Sequence, residues 1–374
     1  MKKILIALCA VATLASCTKN EVLSYDKEAI GFDNAFVDNS TRSVDDPSFA
    51  NTAQKIFSDF AVYGFVEGAS VFDRVKVSKS ITGENTTVWT YTNTQYWING
   101  ANYDFYAIAP FTGNWAIKTG TTPTDTGAII TFTNGKVLDN GDLEPGTQDL
   151  LYAGIVERVG AASNNAAVAL TFNHILSKVK FSFVNGYNAS SATICVRDIK
   201  ITNAYKTADA TLAKDNAETT NVNEAITWSN HSGAGDIVIA FGNATTEAAY
   251  ATHKPADTDK VRAYDYAYNT TVESYYERFL IPAVAPTDDW NITFTVDLLV
   301  SGQVIKTYNH TAKLDTTFEP GKAYDIAATI TATNIDPTTS QEPIEFTATM
   351  NNWDTAVNDE ADVVDPTTPQ QGNN

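Results

Sequence analysis

The chain has 374 residues and carries 44 acidic against 25 basic side chains, a net charge of −19. A surplus of that sign repels phosphate backbones and anionic lipid surfaces, which argues against nucleic acid and anionic membrane surfaces as partners. The length fits two domains, and a charged fraction of only 18 %, with abundant Thr, Asn, Ala and Tyr, suits polar-faced sheets better than helices.

Met1-Lys2-Lys3 is positive, and Ile4 to Leu14 is an apolar run of about eleven residues. That is too short to span a bilayer and is the length of a secretory signal core. The stretch LASC, Leu14 to Cys17, then sets two small residues directly before a cysteine. A plain signal peptide needs no thiol. A bacterial lipobox does, because the sulfur is alkylated by a diacylglyceryl group before the cut. The expectation is a signal peptide over 1–16 and a lipid on Cys17, with further acylation of the new N-terminus giving a firm anchor. No later apolar run reaches about 18 residues, so no transmembrane helix is expected. Cys9 leaves with the signal peptide. Cys195 is then alone, without an internal disulfide partner, and ATICVRDIKI reads as a strand with a buried thiol.

Further along, SFANTAQKIFSDF (48–60) fits one short helix, and most of the rest alternates with period two. ANYDFYAIAPF sets Tyr103, Phe105 and Ala107 against Asp104, Tyr106 and Ile108. KVKFSFV sets Val179, Phe181 and Phe183 against Lys178, Lys180 and Ser182. WNITFTVDLLV sets Ile292, Phe294, Val296 and Leu298 against Thr293, Thr295 and Asp297, and KAYDIAATI aligns Tyr324, Ile326, Ala328 and Ile330. TNGK (133–136), DNGD (139–142) and EPG (144–146 and 319–321) mark turns. The Ala/Asn-rich stretch 158–169 reads as a linker, and 204–225 and the tyrosine-rich 263–276 read as insertions. Beyond residue 358 the chain is acidic, then rich in Pro, Gln and Asn, and is expected to be disordered. Many short strands with such turns indicate antiparallel sandwiches.

Motifs for chemistry are absent. The four histidines, His174, His231, His253 and His310, lack metal-ligand spacing. No C-x-x-C, G-x-S-x-G, P-loop or G-x-G-x-x-G stands in a fitting context. DNGD lacks the spacing and distal Glu of a calcium loop. The six tryptophans could form a carbohydrate platform, but in strands such as VWTY and QYWING packing is the commoner role. The expectation is no enzyme, no metal and no cofactor.

Several segments, in order, carry a resemblance: LASC (14–17), IGFDNAFVDNSTRS (30–43), FAVYGFV (60–66), YWINGANYDFYAIAPF (96–111), DLLYAG (149–154), ALTFNHILSKVKFSF (169–183), FEPGKAYDIAATI (318–330) and IEFTATMNNW (344–353). The chain resembles the fimbrillins, subunits of the type V pili of Bacteroidetes, with TFNHILSKVKF as the most specific piece. The resemblance implies an all-β fold of two transthyretin-like antiparallel β-sandwich domains in tandem. It implies a signal peptide over 1–16, a propeptide with a plug strand over 17–42, sandwiches over 43–160 and 161–357, and a tail over 358–374.

It further implies a lipoprotein precursor at the outer membrane surface, cut by an arginine-specific protease between Arg42 and Ser43 and then built into a fimbria. The plug strand lies around Ala29 to Val37, with Ile30 and Phe32 pointing inward. The donor strand that replaces it in a neighbour is Ile344, Phe346, Ala348 and Met350, unless PIEFTATM is simply the last native strand. The roughly twenty residues after Trp353 depart from a chain that ends on its donor strand, which bears on a stalk role. His174 is taken as structural. Partners are other fimbrial subunits, joined by β-strand addition, the outer membrane through the precursor's lipid, and a host or bacterial surface ligand. The competing class is a lipid-retained surface glycan-binding protein or pilus anchor, which would keep Cys17 and its lipid.

Overall fold

A computed structural model of the chain describes residues 28–37, 58–82, 86–118, 127–137, 143–146, 148–161, 164–186, 193–213, 226–238, 260–262, 278–284, 289–300, 303–338 and 343–352. The described residues form strands and turns, with no helix among them. The first strands are β1 (Phe32–Val37), β2 (Asp59–Val66), β3 (Ala69–Thr82), β4 (Thr86–Tyr91), β5 (Asn102–Ala109), β6 (Trp115–Ile117), β7 (Gly127–Thr133) and β8 (Lys136–Val137). Next come β9 (Leu143–Glu144), β10 (Leu151–Val159), β11 (Val168–His174), β12 (Ser177–Asn185), β13 (Thr193–Ala204), β14 (Thr207–Ala213), β15 (Ile226–Ser232) and β16 (Gly235–Val238). The last are β17 (Lys260–Arg262), β18 (Arg278–Leu280), β19 (Ala283–Val284), β20 (Asn291–Val300), β21 (Gln303–Lys313), β22 (Thr317–Phe318), β23 (Lys322–Ile330) and β24 (Phe346–Asn352).

The first half of the chain builds a closed barrel in the order β1-β11-β10-β5-β2-β3-β4. Its interior holds Phe60, Val62, Phe72, Trp89, Trp97, Phe105, Leu170 and Phe172. A sheet in the order β15-β14-β7-β6 packs on the outside of this wall, through Tyr63, Tyr106, Ile108 and Tyr152 on one side and Ile130, Phe132, Ala210 and Leu212 on the other. β5 therefore stands between two apolar layers. Phe105 and Ala107 face the barrel interior, and Tyr106 and Ile108 face the second layer. The alternation in ANYDFYAIAPF predicts a half-buried strand; with a core on each side, both of its faces are buried.

The second half forms a sandwich of two sheets. One runs β17-β12-β23-β24, with β18 also on β12, and the other runs β16-β13-β20-β21. Val179, Phe181 and Phe183 of β12, Ile292, Phe294 and Val296 of β20, and Tyr324, Ile326, Ala328 and Ile330 of β23 share one core. On the other face of β20, Asp297 is only 1 % exposed. It is kept there by hydrogen bonds donated by Arg197 Nε (2.7 Å) and Thr307 Oγ1 (2.6 Å). Most ladders are antiparallel, but β1–β11 and β12–β23 are parallel.

Three sequence expectations change. Residues 158–169 do not separate two domains: they carry the chain from β10 to β11 inside one barrel, with Arg158 donating to the Ala166 carbonyl (3.1 Å). Part of 204–225 is not an insertion, because β14 pairs along its length with β7, from Thr207 opposite Thr133 to Ala213 opposite Gly127. The sheets thus cross residue 160: β11, β14 and β15 all lie beyond it and join strands that precede it. The expected helix at 48–60 lies outside the described residues up to 57, and Asp59 and Phe60 begin β2. The stretch 263–276 and the tail after 358 also lie outside the described residues. Cys195 pairs through its backbone with Asp297.

The buried Asp209 is neutralised locally. Asp209 of β14 accepts from Thr131 Oγ1 (2.7 Å) and Asn230 Nδ2 (2.7 Å) and pairs with Lys118. Burial alone would raise its carboxyl, but the hydrogen bonds from Lys118, Thr131 and Asn230 outweigh it and hold the group below its ordinary range. Gly146 and Gly321, in the two EPG turns, take φ of 76° and 65°, the left-handed region that a side chain disfavours.

Candidate functional site

The element that stands out is β1. Its backbone lies in a slot between β11 and β4: it runs parallel to β11 from Phe32 opposite Val168 to Val37 opposite Phe172, and meets β4 at Phe32 opposite Trp89. Just before it, Ala29 bridges Tyr96 in antiparallel fashion. Ile30 N donates to the Gln95 carbonyl (2.8 Å), Trp97 N to the Glu28 carbonyl (3.0 Å) and Val168 N to the Gly31 carbonyl (2.7 Å). Tyr91 Oη donates to the Ile30 carbonyl (2.6 Å). Asn165 grips the Glu28 carboxylate twice, from its backbone N–H (2.8 Å) and from Nδ2 (2.7 Å).

The side chains explain why a strand fits there. Ile30 is 1 % exposed and Phe32 5 %. The Phe32 ring meets Phe60, Phe72, Tyr91 and Phe105 edge-on, with centroids 6.2, 5.7, 5.6 and 6.0 Å away. Burial of each of the two side chains is worth about 1.5–3 kcal/mol. Take β1 away, and β4 and β11 become open sheet edges above an aromatic-lined gap, an arrangement that attracts another strand.

The other residues singled out by sequence fall as follows. Cys17, Arg42 and Ser43 lie outside the described residues. Ile344 is 8 % exposed and precedes β24, which lies at the edge of its sheet on β23. Phe346 is half-buried and meets Phe181, Phe183 and Phe294 edge-on, with centroids 6.2, 5.8 and 5.8 Å away. Ala348 is exposed, and Met350 is 51 % exposed. The four therefore do not form one buried stripe. His174 Nδ1 lies 2.7 Å from Asp149 Oδ2 at the end of β11. Trp89, Trp97, Trp115 and Trp290 are buried in cores rather than displayed as a platform.

Glu28, Tyr91 and Asn165 escape the sequence reading. Only a polar residue two positions before Ile30 hints at the first, and nothing in the sequence links it to an asparagine so far along the chain. Among the described residues no group of three or more His, Cys, Asp or Glu could hold a metal ion. An open cleft of about 700 Å³ lies where β21 ends near the start of β24, with His310, Asn334, Ile344 and Phe346 in its wall.

The family model described as Fimbrillin-like matches residues 41–353. Among solved structures, a fimbrial protein from Bacteroides vulgatus is similar over 87 % of this chain and 99 % of its own, with 17 % identity and a TM-score of 0.56. A fimbrial assembly protein from Parabacteroides distasonis aligns over 82 % of this chain and 91 % of its own, with 11 % identity and a TM-score of 0.38. At 17 % identity the first likeness bears on the fold alone. No curated protein matches the sequence.

Proposed function

Because the chain belongs to the fimbrillin-like family, we propose that it is a fimbrial subunit made as a lipoprotein precursor and switched on by loss of β1. In this reading Cys17 carries the lipid that holds the precursor at the outer membrane surface. Cleavage between Arg42 and Ser43 releases residues 17–42, and β1 leaves with them. The observation that carries the reading is the seating of β1: a strand upstream of Arg42 fills a slot between two strands that would otherwise be free edges.

The physics follows from that seat. While β1 is in place, the backbone of β11 and β4 is paired and the ring cage around Phe32 is closed, so the barrel presents no open edge there and the precursor stays monomeric. Once β1 is gone, apolar surface and unpaired amides are exposed together. A strand from a neighbouring subunit restores both by β-strand addition. The contact is head-to-tail, with donor and acceptor surfaces at different places on the chain, so it does not close on itself and grows into a filament. Residues 17–42 hold three basic and five acidic side chains, so the cut changes net charge by only two on a strongly acidic chain, and the switch works mainly through shape and pairing.

The test is the intact mass and N-terminal sequence of the protein taken from its native cell surface. A start at Ser43 without lipid is the expected result. A start at lipidated Cys17, with no product after treatment with an arginine-specific protease, overturns the reading and leaves a surface-anchored binding or anchor protein.

A further inference from the structure

The geometry points to the register of the incoming strand: Ile344 and Phe346 of a second copy take the seats of Ile30 and Phe32, with Glu345 at Gly31 and Pro343 at Ala29. This deepens the strand-exchange reading above and rests on it. The first observation is in the sequence. Glu28-Ala29-Ile30-Gly31-Phe32 and Glu342-Pro343-Ile344-Glu345-Phe346 share the pattern E-x-I-x-F, and an apolar residue follows four positions later in each, Phe36 and Met350. The three shared positions of the first copy are those that hold it in the slot: the carboxylate on Asn165, and the two buried side chains.

The positions that differ are the ones the slot tolerates. The Ala29–Tyr96 bridge is made by Ile30 N and by the Glu28 carbonyl, so the Ala29 amide takes no part in it. Proline, which has no N–H, can stand there without cost to the bridge, and Ile344 N donates to Gln95 in place of Ile30 N. At Gly31 the backbone lies outside the left-handed region, and a Cβ placed there would find only Ala167 Cβ, at an ordinary 3.6 Å. A side chain such as that of Glu345, already exposed in its own sheet, fits.

The exchange is also balanced at the aromatic position. Phe346 leaves three edge-on ring neighbours and Phe32's seat offers four. Among the described residues β24 pairs on one side, with β23, so it can be withdrawn without breaking that sheet in the middle. A shift by one residue would turn Ile344 and Phe346 out of the slot and set charged Glu345 into it.

The 3.6 Å Cβ separation lies in the range a disulfide needs, about 3.5–4.5 Å, which gives the experiment. Full-length chain carrying Ala167→Cys and Glu345→Cys is cut with an arginine-specific protease, oxidised, run without reductant and mapped by mass spectrometry. Expected is a ladder of multimers joined 167 to 345. In uncut chain, Gly31→Cys with Ala167→Cys should close within one molecule, which reports that the variant folds with its slot intact. Asn165→Ala should slow the ladder about tenfold, the loss of one charged hydrogen bond. Multimers joined instead from 167 to Pro343→Cys or Thr347→Cys, or filaments with no link to residues 343–347, would overturn the register and leave strand exchange standing. Cut chain that stays monomeric would overturn strand exchange and this inference together.

Discussion

Phe32 stands edge-on to Phe105, with ring centroids 6.0 Å apart and planes at 90°, and this pair ties β1 to the middle of the barrel wall. Truncation of a buried Phe to Ala costs about 3–5 kcal/mol. Phe32→Ala in the uncut chain should therefore free β1 without any cleavage. Amide hydrogen exchange reads this directly. The Trp97 and Val168 amides, which donate to Glu28 and Gly31, should lose protection while those of β12 and β23 keep theirs. Unchanged protection at Trp97 and Val168 would mean that the backbone ladder, not the ring, holds the strand.

Gly64 lies on β2 where a Cβ would come within 2.6 Å of Phe72 Cδ2 and 3.2 Å of Phe105 Cδ1. Both rings are buried and have little room to move. Gly64→Ala should lower stability by about 1–3 kcal/mol through overpacking. A urea titration checks it; a midpoint equal to that of the parent chain would show that the rings can give way.

Asp209→Ala should cost about 3 kcal/mol, because it leaves the donors of Thr131 and Asn230 without their acceptor and Lys118 without its partner. The pH dependence has a definite sign. The folded carboxyl titrates below its ordinary value of 3.8, so the unfolded chain binds the proton first. The stability from this group is fully present above that value and is lost as pH falls through the folded one. Urea midpoints between pH 5 and pH 3 should fall less steeply in Asp209→Ala than in the parent. Equal slopes would remove Asp209 from the acid response.

His310 gives a second, milder pH response. Its ring stacks on Phe294 at 5.0 Å, and burial lowers its pKa against the opposing pull of the Ile335 backbone and Asp336. The unfolded chain again takes the proton first. The contribution is complete above the ordinary value of 6.5 and is lost as pH drops below it. His310→Phe keeps a stacked ring without a titrating nitrogen. Thermal melts between pH 7 and pH 5 should be flatter for this variant; a slope like the parent's would place the sensitivity elsewhere.

Where a strand faces one core, its pattern was readable. Val179, Phe181 and Phe183, and Tyr324, Ile326, Ala328 and Ile330, alternate in the sequence and are buried in the sandwich. Alternation cannot reveal a second core on the other face, which is why Tyr106 and Ile108 read as an outer side, nor the Arg197 and Thr307 side chains that cover Asp297. β14 escaped notice because its inward residues include the small Ala208 and Ala210, which look like loop composition. The clasp of Glu28 by Asn165 depends on the turn after β10 coming round beside the start of β1. Neither residue carries a local signal of that meeting.

The parallel ladder of β12 and β23 sets an order of events. Lys178 pairs with Ala323 and Asn185 with Ile330, and the other partners of β12, in β17 and β18, also lie far downstream. As the polypeptide emerges from the ribosome, β12 waits without a neighbour until Lys260–Arg262, Arg278–Leu280 and finally Lys322–Ile330 have followed. Pairings of such long sequence separation form slowly, since loop closure must precede their reward. The sandwich core is thus a late achievement of the nascent chain: it closes only once the last strands of the second half have been made.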